Sequence, residues 1–201
     1  MSGRYMAYVG SYSYTGKAKG ITVFDVDVEK GTFKERCEME VNNSSYVIAS
    51  SDGKTLYSIA DEGVVSFRIL QNGALARLNS APIRGMRGCH LCSDLEDKFI
   101  FVSGYHDGKT TILSLNKDGS VGGIVDGVYD KGYGSVAERN FRPHVTCTRR
   151  MPDNKYVLSV DNGVDQVKIY RFNDKEQKMV QVDAIRCDLE SAPRHFRFSR
   201  D

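Results

Sequence analysis

The sequence predicts an all-β fold, a β-propeller of about four blades, and three observations predict it. Tight-turn dipeptides recur along the chain: Asp52-Gly53, Asn72-Gly73, Asp107-Gly108, Asp118-Gly119, Asp126-Gly127 and Asn162-Gly163. Asn-Gly and Asp-Gly supply the positive φ angles that two-residue hairpin loops need. Between them lie short runs rich in Val, Ile, Tyr, Phe and Thr, at 5–9, 21–24, 55–59, 64–69, 99–103, 110–115, 156–160 and 166–172. Several alternate apolar and polar, as in Val167-Lys168-Ile169-Tyr170-Arg171, which is the pattern of a half-buried strand. The third observation is that these runs recur in a fixed order.

One unit reads Tyr46-Val-Ile-Ala-Ser-Ser-Asp-Gly-Lys-Thr-Leu-Tyr-Ser58, a second runs from Cys89 to Val102, and a third from Val145 to Leu158. A fourth opens at Pro193-Arg-His-Phe-Arg-Phe-Ser-Arg-Asp201. Aligned on the acidic residue of the first turn, the units place blade turns near 52, 96, 153 and 201, at spacings of 44, 57 and 48 residues. That is the length of a four-stranded propeller blade. The whole of 1–201 is therefore read as one partial propeller domain. The longest spacing contains an irregular polar insertion at 127–143, a feature that often carries function.

The first run, 5–9, occupies the place of a blade's second strand, and 194–198 that of a first strand. Two arrangements follow: a closed four-bladed ring in which the last strand pairs beside the first, or the N-terminal part of a larger ring. An open arc leaves two sheet edges bare, which invites pairing with a second copy. A homodimer covering the open blade edges, even an eight-bladed ring of two arcs, is the expected assembly in that case.

Composition excludes several classes. Of 201 residues 40% are apolar, enough for a core, and 28 Lys and Arg against 26 Asp and Glu leave a net charge of +2. Interspersed charge of this kind gives no nucleic-acid footprint. Apolar runs as short as Phe99-Ile-Phe-Val102 predict no membrane partner. The N-terminus lacks the apolar core of a signal peptide, so a cytoplasmic location is expected. Five cysteines, at 37, 89, 92, 147 and 187, read as free thiols rather than a disulfide framework.

An ordered set of motifs resembles the seven-bladed β-propeller lactonase family, which holds one class of 6-phosphogluconolactonase and the fungal carboxymuconate-lactonizing enzymes. The residues that carry the resemblance begin with Tyr8-Val-Gly-Ser-Tyr12, Gly20-Ile-Thr-Val-Phe24, Gly31-Thr-Phe33 and Asn43-Ser-Ser-Tyr46. They continue through Ser51-Asp-Gly-Lys54, Cys89-His90, Gly104-Tyr105 with Gly108, Asp118-Gly119, Arg139-Asn140 and Pro143-His144. They end with Pro152-Asp-Asn-Lys155, Asp161, Gly163, Asp165 and Pro193-Arg-His195. The resemblance implies about four of seven blades. It implies lactone hydrolysis, on a sugar lactone such as 6-phosphogluconolactone, or a related cycloisomerase activity, with a small anionic lactone as partner. Two departures stand out. The family's Asn-Glu beyond Pro-Arg-His, whose Glu is a proposed acid/base, falls past residue 201. A near-invariant family His is replaced by Thr146; His144, two residues earlier and on the same strand face, substitutes for it or the activity is lost.

The resemblance places Arg194 at the inner end of a blade, facing the central funnel. A guanidinium there can hold a carboxylate or phosphate by two parallel hydrogen bonds, or stabilise the oxyanion formed when water attacks a lactone carbonyl. A structural ion pair between blades is the plainer reading. His144 is the candidate for proton transfer, against a packing or turn histidine. Arg139 and Arg142 flank the same entry and would add positive field for an anionic substrate, against ordinary solvated arginines. Thr146 and His195 complete the candidate substrate-binding set. His90 and His195 share a repeat-equivalent position held elsewhere by Tyr46 and Cys147, which favours blade packing, and His106 reads as a solvated hairpin tip. A non-catalytic propeller, binding a partner or sugar through its loops, is the competing function.

Other matches fail on context. Cys89-His-Leu-Cys92 would put its sulfurs on opposite faces of a strand and has no second pair, so no metal is expected. Gly132-Tyr-Gly-Ser-Val-Ala137 precedes no helix long enough for a dinucleotide site. Gly108-Lys109-Thr110 lacks the earlier P-loop glycine, Asp25-x-Asp27-x-Glu29 lacks calcium-loop spacing, and there is no Gly-x-Ser-x-Gly elbow. No cofactor is expected.

Overall fold

The computed structural model describes residues 5–134 and 142–199. Its strands are β1 (Tyr5–Gly10), β2 (Gly20–Asp27), β3 (Thr32–Glu40), β4 (Val47–Ala49), β5 (Thr55–Ala60), β6 (Gly63–Ile69), β7 (Leu75–Pro82), β8 (His90–Ser93), β9 (Phe99–Gly104), β10 (Lys109–Leu115), β11 (Val121–Tyr129), β12 (Val145–Arg150), β13 (Tyr156–Asp161), β14 (Gln166–Asn173) and β15 (Lys178–Arg186). They form four antiparallel meanders in chain order: β1 to β3, β4 to β7, β8 to β11 and β12 to β15. This is an all-β arc of about four propeller blades. No helix among the described residues is long and apolar enough to cross a membrane.

Strand alternation builds the core by sending successive side chains to opposite neighbours. On β5, Leu56 packs toward the first sheet with Ile21, Val23, Val65 and Phe67. Tyr57 and Ile59 pack toward the third with Leu91, Ile100, Val102 and Leu113. On β9, Phe99 and Phe101 turn the other way, to Val157, Tyr170 and Phe172 of the fourth. Each such fully buried side chain contributes about 1.5–3 kcal/mol. Gly63 is required where β6 meets β7: a Cβ there would lie 2.1 Å from the Ala81 carbonyl oxygen.

The turns near 52, 96 and 153 join β4 to β5, β8 to β9 and β12 to β13; Asp201 lies outside the described residues. In the first, Asp52 Oδ1 accepts from the Ser50 hydroxyl at 2.7 Å and the Lys54 amide at 3.0 Å. These bonds hold its carboxyl down at about 2.

Strand β1 carries no inner strand among the described residues, whereas β5, β9 and β13 are each paired with one. Accordingly β9 is buried throughout and β5 in all but its last residue, while β1 is half exposed. The expected strand at 194–198 is corrected: the segment 191–199 belongs to no sheet, and Ala192 within it is left-handed at a φ of 46°. A strand exists only as part of a ladder, and this segment forms no ladder with any described strand; side chains such as that of Thr146 hold it instead. The closed four-bladed ring is therefore not formed.

One polar cluster sits inside the fourth blade. Lys168, 1% exposed, places Nζ 3.3 Å from Asp130 Oδ2 and 3.2 Å from Asp161 Oδ2, and donates to the Lys131 carbonyl at 2.8 Å. The Tyr170 hydroxyl donates to Asp130, and Asp161 Oδ1 accepts the His144 amide at 2.8 Å. Both ends of the long insertion are thus anchored on one buried lysine.

Candidate functional site

Three kinds of loop share one end of the arc: those joining β1 to β2, β9 to β10 and β13 to β14, the loop between β7 and β8, and the segment after β15. There they enclose a cleft of about 330 Å³. Larger grooves exist, one of about 480 Å³ on the rim between the first two sheets and one of about 690 Å³ among the blade turns. The cleft is the candidate because polar and aromatic side chains from all parts of the arc converge on it.

Arg194 and His195 line this cleft and are exposed to it. Their segment is hung on the fourth blade by three side chains. Asp165 accepts the Glu190 amide at 2.9 Å and the Ala192 amide at 2.8 Å. Asn162 Nδ2 donates to the Ala192 carbonyl at 3.1 Å, and the Thr146 hydroxyl to the Arg194 carbonyl at 2.7 Å. Thr146 itself lines the cleft and is 5% exposed.

His144, expected to handle a proton at the cleft, is instead packed behind its wall. It is 6% exposed, and its ring lies 4.4 Å from that of Tyr105 at an interplanar angle of 14°. Nδ1–H donates to the Tyr105 carbonyl at 2.7 Å. Tyr105, not His144, reaches the cleft. Gly163 permits this packing, because a Cβ there would meet the Arg142 carbonyl oxygen at 2.1 Å. Arg142 is exposed at the end of the insertion and is not part of the cleft lining. Arg139 lies outside the described residues.

Arg87 enters the cleft although the motifs gave it no role. Its Nη1 pairs with Asp61 Oδ1 at 2.9 Å and its guanidinium lies 4.9 Å over the Tyr12 ring. The sequence signal was its place two residues before Cys89-His90. Tyr12, Tyr105 and Asn162 were likewise missed, because a loop residue shows no periodicity. His106, read as a solvated hairpin tip, also lines the cleft.

The lining itself is cationic, with Arg87 carrying its own counter-charge in Asp61. Among the described residues lining the cleft are two arginines and two histidines, and none is Asp or Glu. Cys89 is no thiolate: burial pushes its thiol up to about 11, and it donates to the Val145 carbonyl at 3.4 Å. His90 stands behind the cleft against Tyr46 and Cys147, at 4.7 Å between rings and 3.5 Å to Sγ. Burial first, then Arg149, His195 and Arg197, push its pKa down to about 3, so it is a neutral packing histidine. No group of three or more His, Cys, Asp or Glu among the described residues is placed to hold a metal ion.

Fold and cleft together define a β-propeller with a small, electropositive site at the inner ends of its blades. Residues 6–201 match the family model "Lactonase, 7-bladed beta-propeller", and the chain belongs to that family. It is similar to the 6-phosphogluconolactonase of Bacillus subtilis, at 31% identity over 97% of this chain and 56% of that protein. Among solved structures it is similar to a candidate 6-phosphogluconolactonase of Bacteroides fragilis, with a TM-score of 0.87, 31% identity, and coverage of 96% of this chain and 57% of that one. The periplasmic gluconolactonase of Pseudomonas aeruginosa shares the fold, with a TM-score of 0.89 at 23% identity, over 98% of this chain and 59% of that one. The chain spans about half the length of the curated relatives it matches.

Proposed function

We propose that this propeller hydrolyses a sugar lactone bearing an anionic group, of the 6-phosphogluconolactone type. The observation that carries the reading is the cleft itself: Arg194 and Arg87 on its walls with no carboxylate among its described lining residues. Water adds to the lactone carbonyl, and Arg194 stabilises the oxyanion of the tetrahedral intermediate. His195, beside it, takes the proton from the attacking water and returns it to the ring oxygen as the ester C–O bond breaks. The product is the open hydroxy acid, which ionises and releases one proton. His144 supports the site by holding Tyr105. Five free thiols suit a reducing compartment such as the cytoplasm.

The test is proton release from δ-gluconolactone and its 6-phosphate in weak buffer, comparing the protein with Arg194→Ala. Turnover above the spontaneous rate, lost in the variant, is expected. Equal rates in both would overturn the assignment.

The absence of a carboxylate among the described lining residues also favours a second reading, a platform that binds the anion without turning it over. Saturable binding of 6-phosphogluconate with no accelerated hydrolysis of any lactone would select it. A cycloisomerase acting on a carboxymuconate is distinguished by ring closure of the open diacid.

A further inference from the structure

We propose that Arg87 is the specificity-determining residue of the cleft, the group that reads the phosphate end of the substrate while Arg194 serves the lactone end. The inference rests on the lactonase reading above and goes beyond it by assigning the two cations to different parts of one molecule.

Arg87 is built to be presented rather than to float. The loop that carries it leaves β7 and is pinned from below by Lys109, a buried lysine whose Nζ donates to the Ile83 and Arg84 carbonyls, both at 3.2 Å. Asp107 Oδ2 accepts the Met86 amide at 3.0 Å. Arg84 adopts a φ of 48°, a left-handed turn that a non-glycine residue takes at a cost and keeps only where the surroundings enforce it. The guanidinium that emerges is fixed by two further contacts, Asp61 on one nitrogen and the Tyr12 ring beneath its plane. Asp61 is itself held by the Asn43 amide at 3.0 and 2.9 Å. One terminal nitrogen is therefore committed to Asp61, and the remaining N–H groups of a planar, pre-oriented fork are left for a ligand. A fork of this kind matches two oxygens of a phosphate.

The two arginines arrive from different directions. Arg87 precedes the third blade's inner strand and Arg194 follows the outer strand of the fourth. Both line the cleft: Arg194 is held through its carbonyl by Thr146 and its charge is felt by the Cys89 thiol, while Arg87 lies over the Tyr12 ring. A volume of about 330 Å³ suits a six-carbon lactone with one phosphate and leaves no room for a polymer.

The experiment compares the ratio of kcat/KM for 6-phosphogluconolactone over δ-gluconolactone in the protein and in Arg87→Met and Arg87→Lys. Asp61 is half exposed and keeps Asn43 as a partner, so the methionine variant leaves no buried unpaired charge, and a thermal melt checks its fold. The ratio is expected to fall about 10- to 100-fold in Arg87→Met and several-fold in Arg87→Lys, which keeps the charge but not the fork. An unchanged ratio in both variants would overturn the proposal. If neither lactone is turned over, the lactonase reading fails by itself, and binding of 6-phosphogluconate against gluconate decides the Arg87 assignment. A preference for the phosphorylated acid that vanishes in Arg87→Met supports it, and a preference that survives refutes it.

Discussion

The hydroxyl of Thr146 donates a 2.7 Å hydrogen bond to the carbonyl oxygen of Arg194, 48 residues away. The bond crosses from the inner strand of the fourth blade to a segment that belongs to no sheet, and it fixes the backbone from which the cleft's guanidinium extends. Position 146, where the resemblance set a family histidine, is here a fastening point. Thr146→Val keeps the shape and removes the donor, so it is expected to cost about 1 kcal/mol and to lower kcat/KM several-fold, whereas Thr146→Ser is expected to retain both. Chemical denaturation and steady-state kinetics on the two variants check this; equal behaviour would show that the bond does not position Arg194.

His144 and His195 are expected to separate in their kinetics. His195 stands in the cleft, while His144 donates from Nδ1 to the Tyr105 carbonyl. In His144→Phe, which preserves the stack on Tyr105 but not the donor, kcat/KM should fall only several-fold. In His195→Gln kcat should fall about 100-fold or more. The reverse pattern would return the proton-handling role to His144.

Lys168 neutralises two buried carboxylates at once. Lys168→Met strands Asp130 and Asp161 in the interior and is expected to destabilise the protein by about 3–5 kcal/mol, read as a lowered urea midpoint. Because Asp161 also holds the His144 amide and Lys168 the Lys131 carbonyl, the insertion should loosen as well. Faster proteolysis within 131–143 would report it.

Burial, outweighing the pull of Lys168 and the Tyr170 hydroxyl, pushes Asp130 up to about 6, from an ordinary 3.8. A folded-state value above the unfolded one means that its contribution is complete below about pH 4 and is lost as pH rises through 6. His90 acts oppositely: with its pKa pushed down to about 3, its contribution is complete above about pH 6.5 and is lost as pH falls. A difference measurement separates the two. The stability of the protein relative to Asp130→Asn should decline between pH 4 and pH 6, and a flat difference would show that Asp130 titrates normally.

How far the sequence could be read depended on whether a residue's environment is local. The alternation in Val167-Lys168-Ile169-Tyr170-Arg171 marked β14 because a strand's two faces are set by its own period of two. The same pattern hid Lys168, which alternation would assign to solvent and which only Asp130 and Asp161, brought from two other strand ends, make tolerable inside. Arg194 and His195 were legible through a motif, but the strand expected there was not formed, since a ladder needs a neighbour that no local pattern supplies. Arg87 carried only the weak signal of its place before Cys89-His90, because what makes it a site residue is Asp61, Tyr12 and the Lys109 pin.

The sequence by itself determined the all-β class, the blade-length repeat and several of the hairpin turns, because φ preferences and side-chain period act within a few residues; Asp126-Gly127, read as a turn, lies instead within β11, where the ladder with β10 overrides the local preference. The tertiary structure alone decided which loops meet at the cleft, that His144 stands behind Tyr105, and that Thr146 holds the Arg194 backbone. Those outcomes depend on how one blade is wedged against the next, a relation between surfaces dozens of residues apart that short-range chain preferences do not encode.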